Sequence, residues 1–276
     1  MRGWMIVLLL GYSAVLVLVY LFQERLVYFP EMGREIRATP PTVGLAFEDV
    51  HLQTIDGETI HGWWVPVQEA RGVVLILHGN AGNISHRLDY LAMFAALGYT
   101  SLIIDYRGYG RSSGSPSEAG TYRDAAAAWE HLIVTRQVAS HTIVLFGESL
   151  GGGVASWLAA RQPVGALVLA STFTSIPHLG APVYWFLPVR LLARIHYDNV
   201  AHLRRVRAPV LIAHSPDDEV IPYAHGQALF AVANEPKQFL MLAGGHNEGF
   251  IFTRRTWVQT LGTFLEQYRV PAGTEP

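Results

Sequence analysis

The sequence predicts an α/β protein in which a mostly parallel eight-stranded sheet carries helices on both faces. Three observations predict it. Continuous apolar runs recur along the chain, helix-like stretches lie between them, and a single hairpin signal precedes the series. An apolar run without alternation marks a strand buried on both faces, as the strands of a parallel sheet are.

The first element is an apolar stretch, residues 3–22, with no charged residue. At ~1.5 Å per residue it spans the roughly 30 Å hydrocarbon layer of a bilayer. Residues 1–22 therefore read as an uncleaved transmembrane anchor. The competing reading is a signal peptide, whose apolar region is ~7–15 residues and ends in a small-x-small site. This run is longer and ends Val19-Tyr20-Leu21-Phe22. Arg2 on one side, against Arg25, Arg34 and Arg37 on the other, is too slight a bias to assign an orientation.

Residues 23–46 contain Pro30, Pro40 and Pro41 and read as an irregular tether. Residues 47–53 and 59–65 alternate apolar and polar around Asp56-Gly57, a hairpin signal. Buried-strand runs follow at 72–77, 100–104, 142–146, 165–170 and 209–213, with a shorter one at 237–242. Helical stretches are expected at 85–97, 118–135, 152–161, 223–233 and 248–268. Residues 47–270 thus form one domain and 271–276 a tail. One stretch breaks the rhythm. Residues 172–207 carry Pro177, Pro182, Pro188 and the aromatic series Tyr184, Trp185, Phe186. So long an insertion reads either as a short lid, with those aromatics on the substrate, or as a packed surface excursion.

Composition narrows the chemistry. There is no cysteine, which excludes disulfides, thiolate catalysis and cysteine-ligated zinc. A net charge of -2 gives no reason to expect nucleic acid. The glycines after the first parallel strand lack the lysine of a phosphate-binding loop, and no dinucleotide fingerprint or His-Glu-x-x-His pair is present. Neither a cofactor nor a metal is expected.

What remains is a nucleophile. Ser149 lies in Gly147-Glu148-Ser149-Leu150-Gly151, after an apolar strand and before a helix, the context of a nucleophile elbow. Glycine neighbours let strand and helix approach closely around the strained serine. A serine hydroxyl needs a base to take its proton and an acid to orient that base. The acid is expected after the 209–213 strand, in His214-Ser215-Pro216-Asp217-Asp218, with Asp218 preferred and Asp217 as the alternative. The base is expected between the last strand and the last helix. Of the 12 histidines, His246 in Gly244-Gly245-His246-Asn247 holds that position, whereas His225, inside an expected helix, reads as a surface residue. Two backbone amides should receive the negative oxygen of the intermediate. One belongs to Leu150 and the other to Asn80, or next Ala81, in the loop His78-Gly79-Asn80-Ala81-Gly82-Asn83. His78 itself reads as stabilising that turn.

These segments, with Asp105-Tyr106-Arg107-Gly108-Tyr109-Gly110-Arg111-Ser112, resemble the α/β-hydrolase superfamily. The similarity is closest to its membrane-anchored, short-lid branch, which includes bacterial proteins of unassigned substrate and eukaryotic protein depalmitoylases. Residues 26–30 and 172–177 and the series Phe186-Leu187-Pro188-Val189 look like that branch too. The resemblance implies Ser149 as nucleophile, Asp218 as orienting acid, His246 as base and oxyanion amides near Asn80 and at Leu150. One departure is Ser215, where the family usually has glycine after the histidine at His214. The expected activity is hydrolysis of a carboxylic ester or thioester, on an acyl or lipid-like substrate such as a lysophospholipid, by a single-pass protein of a bacterial inner membrane. Serine aminopeptidase-like relatives share the core motifs, so cleavage of short peptides or amides is the alternative. A catalytically silent interaction module is a second alternative, which a complete set of triad residue types disfavours.

Overall fold

The apolar runs become the strands of one sheet in this computed structural model, which describes residues 2–32, 34–246 and 255–268. The eight strands are β1 (Glu48–Gln53), β2 (Thr59–Val65), β3 (Val73–Leu77), β4 (Thr100–Ile104), β5 (Ile143–Glu148), β6 (Ala166–Ala170), β7 (Val210–His214) and β8 (Lys237–Met241). Their spatial order is β1-β2-β4-β3-β5-β6-β7-β8. The β1–β2 hairpin and the β2–β4 pair are antiparallel; the remaining pairs are parallel. Every residue of β3, β4, β6 and β7 is buried, which is why these strands read as unbroken apolar runs.

Alternate residues of each strand feed two cores. Leu75, Leu77, Leu145 and Leu167 pack with Trp129 of α4 (Glu118–Glu130), Val154 and Leu158 of α5 (Leu150–Ala159) and Leu229 of α9 (Tyr223–Val232). Val74, Ile76, Phe146 and Leu211 meet Leu91 and Phe94 of α3 (Leu88–Ala96) and Leu261 and Phe264 of the final helix, α10 (Arg255–Gln267). The expected start of that helix, 248–254, and the tail lie outside the described residues. Between β6 and β7 the insertion forms α6 (Ile176–Val183), α7 (Val189–Leu192) and α8 (Asn199–Leu203).

Helix α1 (Arg2–Phe22) is long and apolar enough to cross a membrane, with a mean hydropathy of 2.6 over Gly3–Phe22 and none of that window buried inside the protein. The segment after it, read from the sequence as an irregular tether, is held against the rest of the chain. It forms the short helix α2 (Glu24–Val27) and then packs into the domain. Tyr28 is buried, with its hydroxyl 2.9 Å from that of Tyr197. The Arg37 amide donates to Ser85 Oγ, and Asn83 Nδ2 to the Glu35 carbonyl. Burial of an aromatic ring with a satisfied hydroxyl supplies the driving force.

Candidate active site

Strand β5 runs straight into α5, and the turn between them holds Ser149 at φ 52° and ψ −117°. That is sparsely populated backbone for a residue with a side chain, with a cost of order 1–3 kcal/mol. The turn is possible because its neighbours lack side chains. A Cβ on Gly147 would stand 2.6 Å from the Gly151 carbonyl oxygen, and one on Gly151 would overlap the Leu77 and His78 carbonyls. The Ser149 amide donates to the Ala170 carbonyl at 3.0 Å, and Thr172 Oγ1 donates to the Ser149 carbonyl at 2.7 Å. These bonds hold the turn from the neighbouring strand.

The structure brings Ser149, His246 and Asp218 together at the carboxyl edge of the sheet. Ser149 Oγ lies 3.2 Å from His246 Nε2, and His246 Nδ1 lies 2.8 Å from Asp218 Oδ2. The ring nitrogen facing a carboxylate carries the proton, leaving Nε2 free to accept from the serine. Asp218 Oδ1 accepts the amides of Val220 at 3.0 Å and Ile221 at 2.7 Å. Burial works against its charge, but the His246 bond and these amides outweigh burial and hold its carboxyl below the ordinary range. Asp217, the alternative acid, is exposed to solvent. The Glu219 carboxylate accepts the His246 amide at 2.9 Å, which fixes the backbone of the histidine loop. Asn247 and Glu248 lie outside the described residues.

The loop after β3 approaches the serine from the other side. A Cβ on Gly79 would stand 3.4 Å from Ser149 Cβ. His78 is fully buried, and its Nδ1 donates to the Gly79 carbonyl at 2.7 Å, a turn-bracing role. The Asn80 carbonyl accepts the Tyr109 hydroxyl at 2.9 Å and the Phe29 amide at 3.2 Å, and Asn80 Nδ2 donates to the Val27 carbonyl at 2.9 Å. Asn80 and Leu150 both border the cavity beside Ser149.

Two contributors have no counterpart in the sequence reading. Arg87 Nε donates to Glu148 at 2.9 Å and its NH2 to the Ala81 carbonyl at 3.3 Å, tying the elbow to the facing loop. Glu148 stands at the variable position of the elbow pattern, the one signal that pointed here. Likewise, Leu26, Val27, Phe29 and Met32 of the supposed tether line the cavity. That cavity has a volume of about 680 Å³, within the range of small-molecule sites, and a mostly apolar wall. Ser149 and His246 lie in it, and Leu179, Val183 and Leu192 of the insertion close one side.

The aromatic series needs correcting. Tyr184 lines the cavity, but Trp185 (81% exposed) and Phe186 (52%) do not. The chain turns after α6, so Trp185 and Phe186 stand outside the cavity while Leu187 returns to it, and the Phe186 carbonyl accepts the Tyr12 hydroxyl of α1 at 2.8 Å. His225 also differs from expectation, being buried with Nδ1 accepting the Thr174 amide at 3.2 Å. Burial, reinforced by His178 and His214, pushes its pKa down to about 4. The unfolded chain takes this proton near pH 6.5 and the folded protein only near pH 4, so stability is complete above that window and falls as pH drops through it. The loss should reach roughly 3 kcal/mol, and thermal melts of wild type and His225→Gln between pH 7 and 4 should show a flatter profile for the variant.

The family profile described as "alpha/beta hydrolase fold" matches residues 72–186. The Mycobacterium tuberculosis protein Rv2307c is 38% identical over 261 residues, covering 94% of this chain and 92% of that protein. The Arabidopsis thaliana alpha/beta hydrolase domain-containing protein WAV2 is 32% identical, covering 94% of this chain and 93% of its own. Among solved structures, the Pyrococcus furiosus esterase Pf2001 superposes with a TM-score of 0.73 at 19% identity, over 88% of this chain and 100% of the esterase; that likeness speaks to the fold. With near full-length relatives, a strand-elbow-helix turn at Ser149 and an eight-stranded sheet in this order, the chain belongs to the α/β-hydrolase family.

Proposed function

We propose that this protein is a membrane-anchored serine hydrolase that cleaves carboxylic esters or thioesters of acyl, lipid-like substrates. The observation that carries the reading is His246 held between Ser149 Oγ and Asp218 Oδ2 at the floor of an apolar cavity. Ser149 Oγ attacks the acyl carbon while His246 Nε2 takes its proton. The amides of Leu150 and Asn80 receive the oxyanion, and Asp218 stabilises the imidazolium. On collapse the proton passes from His246 to the leaving alcohol or thiol, and an acyl-enzyme remains on Ser149. His246 then takes a proton from water, which attacks the acyl carbon; on collapse that proton passes from His246 to the departing Ser149 Oγ, releasing the acid and free Ser149.

The 172–207 insertion acts as a short lid, with Tyr184 on the substrate. Retention of α1 as an anchor is supported by the bond of its Tyr12 hydroxyl to the Phe186 carbonyl and by those of the adjoining Gln23 to that insertion. Gln23 donates to the Leu192 carbonyl at 3.3 Å and accepts the Arg194 amide at 2.7 Å, contacts that cleavage after residue 22 would strip of their helix.

The test is a series of p-nitrophenyl esters with the full-length protein in detergent. Each buried methylene contributes ~0.8 kcal/mol, so kcat/KM should rise roughly tenfold or more from acetyl to octanoyl. A preference for acetyl would sink the lipid-like assignment, and an arylamide cleaved faster than any ester would move the activity to peptide bonds.

A further inference from the structure

Tyr12, Leu16, Val19 and Gln23 recur at steps of four, three and four residues, which places them on one face of a helix. This face meets the insertion. Tyr12 bonds to the Phe186 carbonyl, Val19 lines the cavity with Val183 and Leu192, and Gln23 bonds to Leu192 and Arg194. Leu16 and Val19 are half-buried there, whereas residues 3–11 have every side chain exposed. From Tyr12 to Gln23 the stripe rises ~16 Å at ~1.5 Å per residue, about half of a hydrocarbon layer of roughly 30 Å. The insertion covers one leaflet's worth of α1 and leaves the other bare.

The outer surface of the insertion is unusual for a domain in water. Trp185, Phe186, Val183 and Leu191 stand exposed in one short stretch, Leu191 at 86%. Its turn is also bonded from within. The Tyr184 amide donates to Gly180, that of Leu187 to Tyr184, that of Val189 to Leu187 and that of Leu191 to Pro188, and a hydroxyl on α1 meets the Phe186 carbonyl. At the carboxyl end of α1 the Arg194 guanidinium lies 5.4 Å from the Tyr20 ring centroid and that of Arg25 5.5 Å from Phe22. Aromatic and arginine side chains of this kind mark a membrane–water boundary. Arg190 is exposed, and an aliphatic stem of its length can carry the charge towards such a boundary.

We infer that the 183–191 hairpin is immersed in a single phospholipid leaflet beside α1, and that the cavity admits acyl chains sideways from that leaflet between Val19 and Val183. This rests on the reading of α1 as a membrane span. It narrows the substrate to esters or thioesters whose acyl chain already resides in the bilayer, as opposed to esters arriving from water. An extracted chain passes from hydrocarbon to the apolar cavity wall without crossing water, and the reacting carbonyl at its head comes to lie beside Ser149.

The absence of cysteine gives a clean background for single-site labelling. Full-length Trp185→Cys, Leu191→Cys, Val15→Cys and Ile55→Cys variants would carry an environment-sensitive fluorophore in phosphatidylcholine vesicles. Quenching would be read with acyl-chain nitroxide lipid and, separately, with aqueous iodide. Positions 185 and 191 are expected to be quenched by the lipid nitroxide about as strongly as position 15, while position 55, on the exposed β1–β2 turn, responds to iodide alone. Lipid quenching at 15 with iodide quenching at 185 and 191 would overturn the immersion and leave the anchor standing. Iodide quenching at 15 would overturn both. Shielding of 185 and 191 from both quenchers would put a protein partner on this surface, and that too would overturn the inference. Catalysis is not read by this experiment, so its outcome is separate from that of the Ser149 chemistry.

Discussion

Replacing Ser149 with alanine is expected to lower ester turnover by about 10⁴-fold or more and to abolish labelling by a fluorophosphonate probe, with the fold intact. The side chain lost is one hydroxyl, whose partner His246 keeps its bond to Asp218. On the proposed mechanism, what disappears is the nucleophile held against that imidazole. A second replacement separates chemistry from strain. Glycine at position 149 also removes the hydroxyl, but φ 52° with ψ −117° lies in territory open to glycine and costly for serine. Ser149→Gly should therefore be inactive and more stable than wild type by about 1 kcal/mol or more. For a domain of this size that raises Tm by roughly 2–4 °C. Turnover of octanoyl ester and thermal melts on the three proteins check both halves. Residual activity near wild type in Ser149→Ala would remove the nucleophile assignment. A lower melting temperature for Ser149→Gly than for Ser149→Ala would remove the strain argument.

The sheet was legible because burial on both faces writes itself directly into composition. The runs at 72–77 and 100–104 became strands within a residue of their expected ends. The elbow was legible for a related reason, since strand, turn and helix are contiguous in the chain and sterics demand the glycines. Asp218 and His246 followed from chain order. Contacts between distant segments were not legible. Nothing local in residues 23–46 announces that Val27 will brace Asn80 or that Tyr28 will reach Tyr197. His225 read as a surface group because it falls inside an expected helix, yet Thr174 supplies the hydrogen bonds that make its burial tolerable. Trp185 and Phe186 read as substrate contacts because they sit in a long insertion with the length of a lid, a reading that leaves their exposed rings facing water. That inference assumes water on the far side, and the immersion proposed above would remove the assumption.

The largest structural effect is expected at Gly151, whose Cα sits where the first turn of α5 crosses the end of β3. A methyl group there would overlap the Leu77 and His78 carbonyl oxygens, both backbone atoms of the strand and loop that face the serine. No rotamer change relieves that overlap, so Gly151→Ala must push α5 away from β3 or bend the loop carrying Asn80. Overpacking of this kind costs typically 1–3 kcal/mol and occasionally more; with an immovable backbone the upper end, about 3 kcal/mol, is expected, a fall in Tm of roughly 6–12 °C. Because the same displacement separates Ser149 from Asn80, turnover should drop as well, by about 10²-fold for a shift near 1 Å. Gly180→Ala is the matched comparison. Gly180 lies within α6 and its Cβ would meet Val189 of α7 at an ordinary 3.6 Å, so the variant's stability should stay level or rise by up to ~1 kcal/mol. If Gly151→Ala melts and turns over like wild type, the helix is not wedged against β3, and the close approach that aims Ser149 at the Asn80 loop is not what holds the site together.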